Sequence, residues 1–251
     1  MNCIPLAMKK RGSLLGCMLL FCYVALAQFN DSTHYHVNYA ATGTYNRANS
    51  AQSYVLNNGA TFDVSRKNVS LNSYTNYIYG VNEGRETNND FSSTLNFDLF
   101  RATRTWSYWG LASYATSYSL KINNQFQAGG GISYNGARTK TVEWSISDGI
   151  LFETSNLYNQ NPDKSTHTLA RNSLRVKYHF VFFKNIILDG MHFWQPALND
   201  ISNYIVRSNN NLSVALNKWL KVTASLTYNR FNETNSENML INFGLTVDKY
   251  F

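Results

Sequence analysis

The sequence predicts an all-β fold, an antiparallel transmembrane up-and-down β-barrel of about 12 strands. Three observations predict it: a carboxy-terminal stretch that alternates apolar and polar residues, an export signal at the amino-terminus, and a series of alternating segments between them. A membrane strand needs this alternation, because one of its faces meets lipid and the other meets a polar lumen.

The terminal stretch 238–251 has a period of two. Its apolar residues fall on one parity that only Lys249 breaks: Met239, Ile241, Phe243, Leu245, Val247 and Phe251. Its polar or small residues fall on the other: Asn242, Gly244, Thr246 and Asp248. We therefore expect an outer-membrane assembly signal here, read by the barrel-assembly machinery and formed by Phe243, Gly244, Leu245, Val247 and the terminal Phe251.

Residues 1–27 have the features of a secretory signal peptide. A basic head (Lys9, Lys10 and Arg11) precedes an apolar run over 14–26 and an Ala25-Leu26-Ala27 cleavage site. A lipid-attachment site at Cys17 is the alternative, but it would leave almost no apolar core after the basic head. We expect cleavage after Ala27, a mature barrel over 28–251, and a place in the outer membrane of a Gram-negative bacterium.

Composition argues against several other classes of protein. All three cysteines lie inside the signal, so the mature chain is expected to have no disulfide, no thiolate nucleophile and no cysteine metal site. The formal charge of +7 includes the three cations of the signal, and no Lys/Arg cluster suggests nucleic-acid binding. Mean hydropathy is −0.33, and no stretch after Ala27 reaches the ~18 apolar residues that a membrane helix needs.

The alternating segments follow one another in order along the mature chain, each close to the ~9–11 residues of a tilted membrane strand. They are 35–45, 54–64, 69–79, 91–99, 106–118, 126–134, 142–152, 174–180, 186–195, 204–216, 220–228 and the terminal strand. Segments 106–118 and 186–195 do not reveal which side faces outward. Residues 81–90 and 155–165 are interpreted as long external loops, and short turns are expected on the periplasmic side.

A secreted β-sandwich also alternates apolar and polar residues and is the competing fold. Aromatic residues near the strand ends favour the barrel, since interface girdles of Tyr and Trp are typical of membrane proteins. They include Tyr45, Tyr54, Tyr77, Tyr79, Trp106, Tyr108, Trp194, Tyr228 and Phe251.

Several stretches resemble the outer-membrane barrel family known as domain of unknown function 481. They are residues 127–134 (QAGGGISY), the hairpin 141–153, and the terminal run 212–251 with LSVALNKWLKVTASLTYNRF and INFGLTVDKYF. Members are often named salt-induced outer-membrane proteins. The resemblance covers most of the mature chain and implies a location and a fold, without a settled activity or functional residues.

The polar face of the eighth segment is the sharpest chemical feature. It carries Arg171, Ser173, Arg175, Lys177 and His179, and strand pairing is expected to bring Glu143 close to Lys177. One interpretation is a basic lumen of Arg171, Arg175 and Lys177 that selects small anionic solutes. The other is an ion-pair ladder that fills the interior, neutralised by inward acids: Glu143, Glu153, Asp63, Asp98 and Asp248.

Other constellations are weaker. Ser165 and His167 place a hydroxyl near an imidazole, as a membrane lipid hydrolase would need, yet no third group orients the base. His34 and His36 alone do not make a metal site. Glycines 129–131 precede no helix, so they are interpreted as a bend at barrel closure and not as a phosphate loop. We expect no enzyme, no cofactor and no metal, but a narrow passive pore or, alternatively, a non-conducting structural barrel.

Overall fold

A computed structural model describes residues 34–48, 51–100, 104–158 and 166–250. The predicted signal peptide, Ser165 and Phe251 lie outside the described residues. Within the described ranges, no helix is long and apolar enough to cross a membrane.

The described residues form thirteen strands. These are β1 (Tyr35–Ala48), β2 (Ala51–Arg66), β3 (Val69–Asn82), β4 (Arg85–Leu99), β5 (Trp106–Ser117), β6 (Ile122–Arg138), β7 (Val142–Leu157), β8 (Thr166–Asn172), β9 (Leu174–Phe182), β10 (Ile186–Pro196), β11 (Tyr204–Ala215), β12 (Leu220–Phe231) and β13 (Ser236–Tyr250).

The sheet closes on itself. All pairings are antiparallel between chain neighbours, and β1 also pairs with β13, from His36 opposite Tyr250 to Gly43 opposite Phe243. Strands β8 and β9 both pair with β7 and are separated only by Ser173, so they are two parts of one barrel strand. The result is a closed 12-stranded antiparallel barrel, which confirms the predicted fold.

The outer face of this barrel is apolar. On β13, Phe243 and Leu245 are 65% and 54% exposed, whereas the alternating Asn242 and Thr246 are 1% and 5% exposed. Apolar side chains therefore point away from the interior and polar side chains point into it. This is the reverse of a soluble fold, in which the apolar face is buried.

The structure also settles the two segments whose facing the pattern left open. On β5, Trp106 and Tyr108 point outward, while Trp109 is 5% exposed in the interior. Its indole N–H donates to the carbonyl oxygens of Ile132 and Asp148. On β10, Gln195 is buried inside and Trp194 is 44% exposed outside.

The prediction of a long loop over 81–90 is wrong. Strand β3 continues to Asn82 and β4 begins at Arg85, so only Glu83 and Gly84 form the turn. Both have positive φ, 51° and 76°, as a tight hairpin turn requires to match the twist of its strands. The polar composition of this segment reflects solvent around the hairpin and does not indicate irregular backbone.

Glycines let β6 and β7 approach closely. A Cβ on Gly129 or Gly131 would collide with the backbone of β7 at Ile150 and Asp148. Larger residues at these positions would force the two strands apart.

The facing of β13 gives a stability prediction. Replacing the outward Phe243 with Arg should lower the free energy of unfolding from lipid vesicles by ~2–4 kcal/mol, because a cation would then face hydrocarbon near mid-strand. The same change at Met239, outward but four residues nearer the end of the strand that joins β12, should cost ~0–1 kcal/mol. Denaturant titration measures both, and equal costs would contradict the outward facing.

Candidate functional site in the barrel interior

The split strand β8–β9 directs its basic residues into the barrel. Arg171, Ser173 and Arg175 are 0%, 0% and 2% exposed, and the intervening Leu174 is exposed on the outside. Arg171 and Arg175 thus point into the interior, as the sequence predicts for a basic lumen. Their guanidinium groups, however, are buried and not open to water.

Arg171 forms a bidentate ion pair with Glu153 of β7. Its Nε lies 2.8 Å from Oε2 and its Nη2 lies 3.0 Å from Oε1, and both side chains are completely buried. The remaining Nη1 donates to the carbonyl oxygens of Gln195 and Asn203. Such a planar, two-point contact fits the fork of the guanidinium, and the pair neutralises itself.

Two glutamines and a second arginine extend this pair across the interior. Gln125 and Gln127 of β6 donate to Glu153 Oε2 at 2.9 and 2.6 Å. Their side-chain oxygens accept from Arg207 of β11 at 2.6 and 3.3 Å. Because β6 and β11 are not neighbours in the sheet, these side chains cross the lumen and fill it.

Arg175 crosses the interior in another direction. Its Nη1 donates to Asn96 of β4 at 3.3 Å, and its Nη2 lies 4.0 Å from Asp98. The guanidinium carbon also lies 4.9 Å from the ring centroid of Trp109, a cation–π contact. The charge of Arg175 is therefore balanced by a carboxylate of β4 and by an aromatic face of β5, neither of which is a neighbour of β9 in the sheet.

Lys177 and Glu143 lie on the same inner face, nearer the turn that joins β9 to β10. The register places Glu143 opposite His179 and Lys177 opposite Ser145, so Lys177 is the diagonal neighbour of Glu143. His179 Nδ1 lies 2.6 Å from Asp189. This part of the interior is partly exposed and mixes both signs of charge.

An apolar cluster closes the other end of the interior. Ile122, Leu157, Ile205 and Phe231, on β6, β7, β11 and β12, are each at most 4% exposed and pack together. The period of two along the strands does not predict this cluster. The available signal was an apolar residue on an otherwise polar parity, as at Phe231 after Thr227 and Asn229.

Turn residues tie opposite walls together above this cluster. Thr234 Oγ1 donates to the carbonyl of Leu120, and Asn238 Nδ2 donates to Ser119 Oγ, both at 2.9 Å. These bonds join the β12–β13 turn and the start of β13 to the β5–β6 turn, although the two hairpins are far apart in the sheet order. The mouth at this end is therefore bridged as well as filled.

The neighbouring β10–β11 turn is held by its own hydrogen bonds. The hydroxyl and the backbone N–H of Ser202 donate to Asp200, which lowers the pKa of that carboxyl. Asn203 of the same turn donates to Glu233 at 2.9 Å and offers its carbonyl to Arg171. The turn thus supports the buried ion pair.

His167 lies inside the barrel. Its Nε2 is 2.9 Å from Ser155 Oγ, 3.6 Å from Glu153 and 3.3 Å from Glu233. Because Ser165 lies outside the described residues, the predicted Ser165–His167 pairing is not tested. An inward imidazole is nevertheless screened from lipid.

A second polar network joins the strands at the seam of the barrel. His36 of β1 lies 2.6 Å from Asp63 of β2 and 2.5 Å from Asp248 of β13. Lys221 of β12 also contacts Asp248. His36 thereby links both neighbours of β1, and two carboxylates occupy its two ring nitrogens.

The residues of the expected assembly signal lie along β13. Phe243, Leu245 and Val247 point outward and are exposed, whereas Gly244 points inward against the backbone of Ala41 and Thr42. Phe251 lies outside the described residues. The role of these residues in assembly stays a prediction.

Comparison with known proteins finds one family. The model described as "Protein of unknown function, DUF481" matches residues 40–248. No curated protein matches the sequence.

Solved structures similar to this chain share little sequence with it. The translocator domain of the autotransporter NalP from Neisseria meningitidis has 11% identity and a TM-score of 0.49, over 86% of this chain and 87% of that one. The NanC porin has 8% identity and a TM-score of 0.49, over 84% and 97%. The COG4313 outer membrane channel from Pseudomonas putida F1 has 10% identity and a TM-score of 0.46, over 87% and 95%.

The buried pair gives a second prediction. Changing Glu153 to Gln should lower the free energy of unfolding by ~3–5 kcal/mol, because it leaves the Arg171 charge buried without its counter-ion. The double variant Glu153→Gln, Arg171→Met should lose much less free energy of unfolding than the sum of the losses in the two single variants. A double-mutant cycle in denaturant measures this difference.

The exposed pair of Arg230 and Glu237 is the matched control. Arg230→Ala should cost less than ~1 kcal/mol, since exposed ion pairs contribute little. A Glu153→Gln cost as small as this one would mean that the interior pair is solvated.

Proposed function

The chain belongs to the family of proteins of unknown function DUF481, and we propose that it is an integral β-barrel of the Gram-negative outer membrane whose interior is closed by its own side chains. The observation that carries this proposal is the complete burial of Arg171 and Glu153 in a hydrogen-bond network that crosses the barrel. In this conformation the barrel is a structural element of the envelope and not a permanently open pore.

The membrane placement rests on the outer face. Side chains such as Phe126 and Ile132 of β6, Phe152 of β7 and Phe243 of β13 are at least half exposed. A continuous apolar surface of this kind is unfavourable in water and favourable in contact with acyl chains. Lipid is therefore the partner of the outer wall, and the expected signal peptide and assembly machinery supply the route to it.

Energetics favour a closed interior over a basic stripe facing water. Opening the lumen at Arg171 would require separating a buried bidentate pair and the glutamines that satisfy it. Leaving one charge of such a pair without its partner costs ~3–5 kcal/mol. The same residues that the sequence offered as an anion filter thus supply the cross-links that fill the barrel.

A narrow passive pore for small, anionic solutes is the second candidate. Partly exposed polar side chains on the inner faces of β1, β2 and β11, among them Asn38, Thr61 and Asn209, favour it. Lys177 would be its accessible cation. Such a pore would need the apolar cluster at Phe231 to move aside.

Planar-bilayer conductance separates the two candidates. The purified wild-type protein should show no discrete channels at moderate voltage, because the network and the apolar cluster block the path. A Phe231→Ala, Arg207→Ala variant should show openings, since it removes the largest side chain of the apolar cluster and the arginine that carries the polar network across to β11.

Outward variants provide the control. Leu212→Ala, Leu226→Ala removes similar volume from the lipid-facing side and should stay silent. Frequent wild-type channels whose anion preference falls in Lys177→Ala would instead establish the pore.

A further inference from the structure

Four polar side chains stand together on the lipid-facing side of the barrel: Tyr178 of β9, His192 of β10, and Ser208 and Asn210 of β11. The register puts His192 opposite Ser208, and Gly190 opposite both Tyr178 and Asn210. They share the parity of the exposed Leu174, Trp194 and Leu212, so they point outward. Polar groups on this face are costly unless they are paired, and here they are paired with one another.

The four groups form a closed ring of hydrogen bonds. Ser208 Oγ lies 2.8 Å from His192 Nδ1, and His192 Nε2 lies 3.4 Å from the Tyr178 hydroxyl. Tyr178 donates to Asn210 Oδ1 at 2.5 Å, and Asn210 Nδ2 donates to Ser208 Oγ at 3.2 Å. One direction satisfies the whole ring: Ser208 donates to Nδ1, and the protonated Nε2 donates to Tyr178.

That direction is the one a nucleophilic serine requires. A base accepts the hydroxyl proton of Ser208, and a third group fixes the tautomer and orientation of the base. His192 is the base and Tyr178 is the orienting group. The amide of Asn210 donates to Ser208 Oγ and holds this hydroxyl in position for donation to His192.

Gly190 makes this arrangement possible. A Cβ at this position would collide with the ring of Tyr178. Without that Cβ, the tyrosine ring lies over the sheet beside His192, with ring centroids 5.6 Å apart, and its hydroxyl reaches both the imidazole and Asn210. Tyr178 can therefore take this position only because residue 190 is a glycine.

The depth of the ring suits a lipid ester. Among the outward-facing residue pairs of β10 and β11, the pair Pro196–Tyr204 lies at the end of the strands. The pair Trp194–Val206 comes next, and His192–Ser208 follows it toward the middle. Tyr and Trp mark the head-group level of a membrane. Two residues of strand amount to ~7 Å, so Ser208 lies just beneath that level, where acyl chains are joined to their head groups.

We propose that Ser208 and His192 form a lipid-facing site that hydrolyses acyl esters of membrane lipids. Ser208 Oγ attacks the ester carbonyl while its proton passes to His192 Nδ1, and the alcohol of the lipid leaves with that proton. Water then attacks the acyl-serine, His192 takes a proton from this water and returns it to Ser208 Oγ, and a fatty acid is released. This activity goes beyond the sequence expectation of a barrel without catalysis.

The luminal histidine offers a useful contrast. His167 also lies 2.9 Å from a serine hydroxyl, but that residue, Ser155, is 0% exposed inside the closed interior. Lipid cannot reach it there. His192 and Ser208 are both partly exposed on the outer wall.

The test uses the full-length mature protein reconstituted in phosphatidylcholine vesicles, with free fatty acid measured by mass spectrometry. Wild type should release fatty acid. Ser208→Ala should abolish the release because it removes the nucleophile, and His192→Gln should lower the rate by roughly 100-fold, the usual contribution of a general base. A fluorophosphonate should label Ser208 in wild type and not in His192→Gln. Tyr178→Phe should lower kcat and leave KM nearly unchanged, because His192 loses the partner that orients it while the lipid still binds.

Ser93→Ala is the matched control, since Ser93 is an outward hydroxyl on β4 that bonds only a threonine hydroxyl, 3.1 Å away, in the described contacts. Its rate should equal that of wild type. The site rests on the proposed lipid exposure of the outer wall, so heat-modifiable gel mobility is measured on every variant. Inserted, folded barrels that release no fatty acid, or that release it equally in Ser208→Ala, overturn the catalytic site alone. Failure of the wild type to insert overturns the membrane placement.

Discussion

A sheet in hydrocarbon cannot keep a free edge, and in the proposed membrane setting this constraint governs the whole molecule. Each unpaired backbone N–H or C=O in lipid costs several kcal/mol, so the only sheet that can span is a closed one. Pairing of β1 with β13 meets that requirement, and Gly244 of β13 permits the close contact with the backbone of β1 at this seam. Once the sheet is closed, every residue must face either the wall's exterior or its interior.

Polar side chains that point into the interior then need hydrogen-bond partners, and a few residues supply these partners for one another. Glu153 is the common acceptor of Arg171, Gln125 and Gln127, and Arg207 satisfies the glutamines from the far wall. Arg175 and the apolar cluster around Phe231 fill the remaining cross-section. Charged side chains in this barrel therefore hold together strands that are not neighbours in the sheet, and the outer wall is left as the surface that other molecules can contact.

The sequence alone predicts which side chains point outward from the barrel wall. It does not predict which side chains meet across the interior. The period of two is a local property, so Leu174, Val176 and Tyr178 could be assigned outward from their own strand. Contacts across the lumen depend on which strands face each other after closure, which explains why Glu153 could not be chosen over Glu143 as the partner of the basic strand. Trp109 points inward, unlike its aromatic neighbours Trp106 and Tyr108. Its ring lies 4.9 Å from Arg175, which is 66 positions away in the chain. The His192–Ser208 pair was hidden for the same reason, since its members lie on different strands.

The direction in which apolar side chains face is the central claim, and lipid-borne quenching measures it directly. Single cysteines at 241 to 247, placed in the mature chain and labelled with a small fluorophore, would be reconstituted in vesicles of brominated phospholipid. Strong quenching at 241, 243, 245 and 247 with weak quenching at 242, 244 and 246 is the expected result. Quenching without this alternation, or strongest at the even positions, would contradict the account.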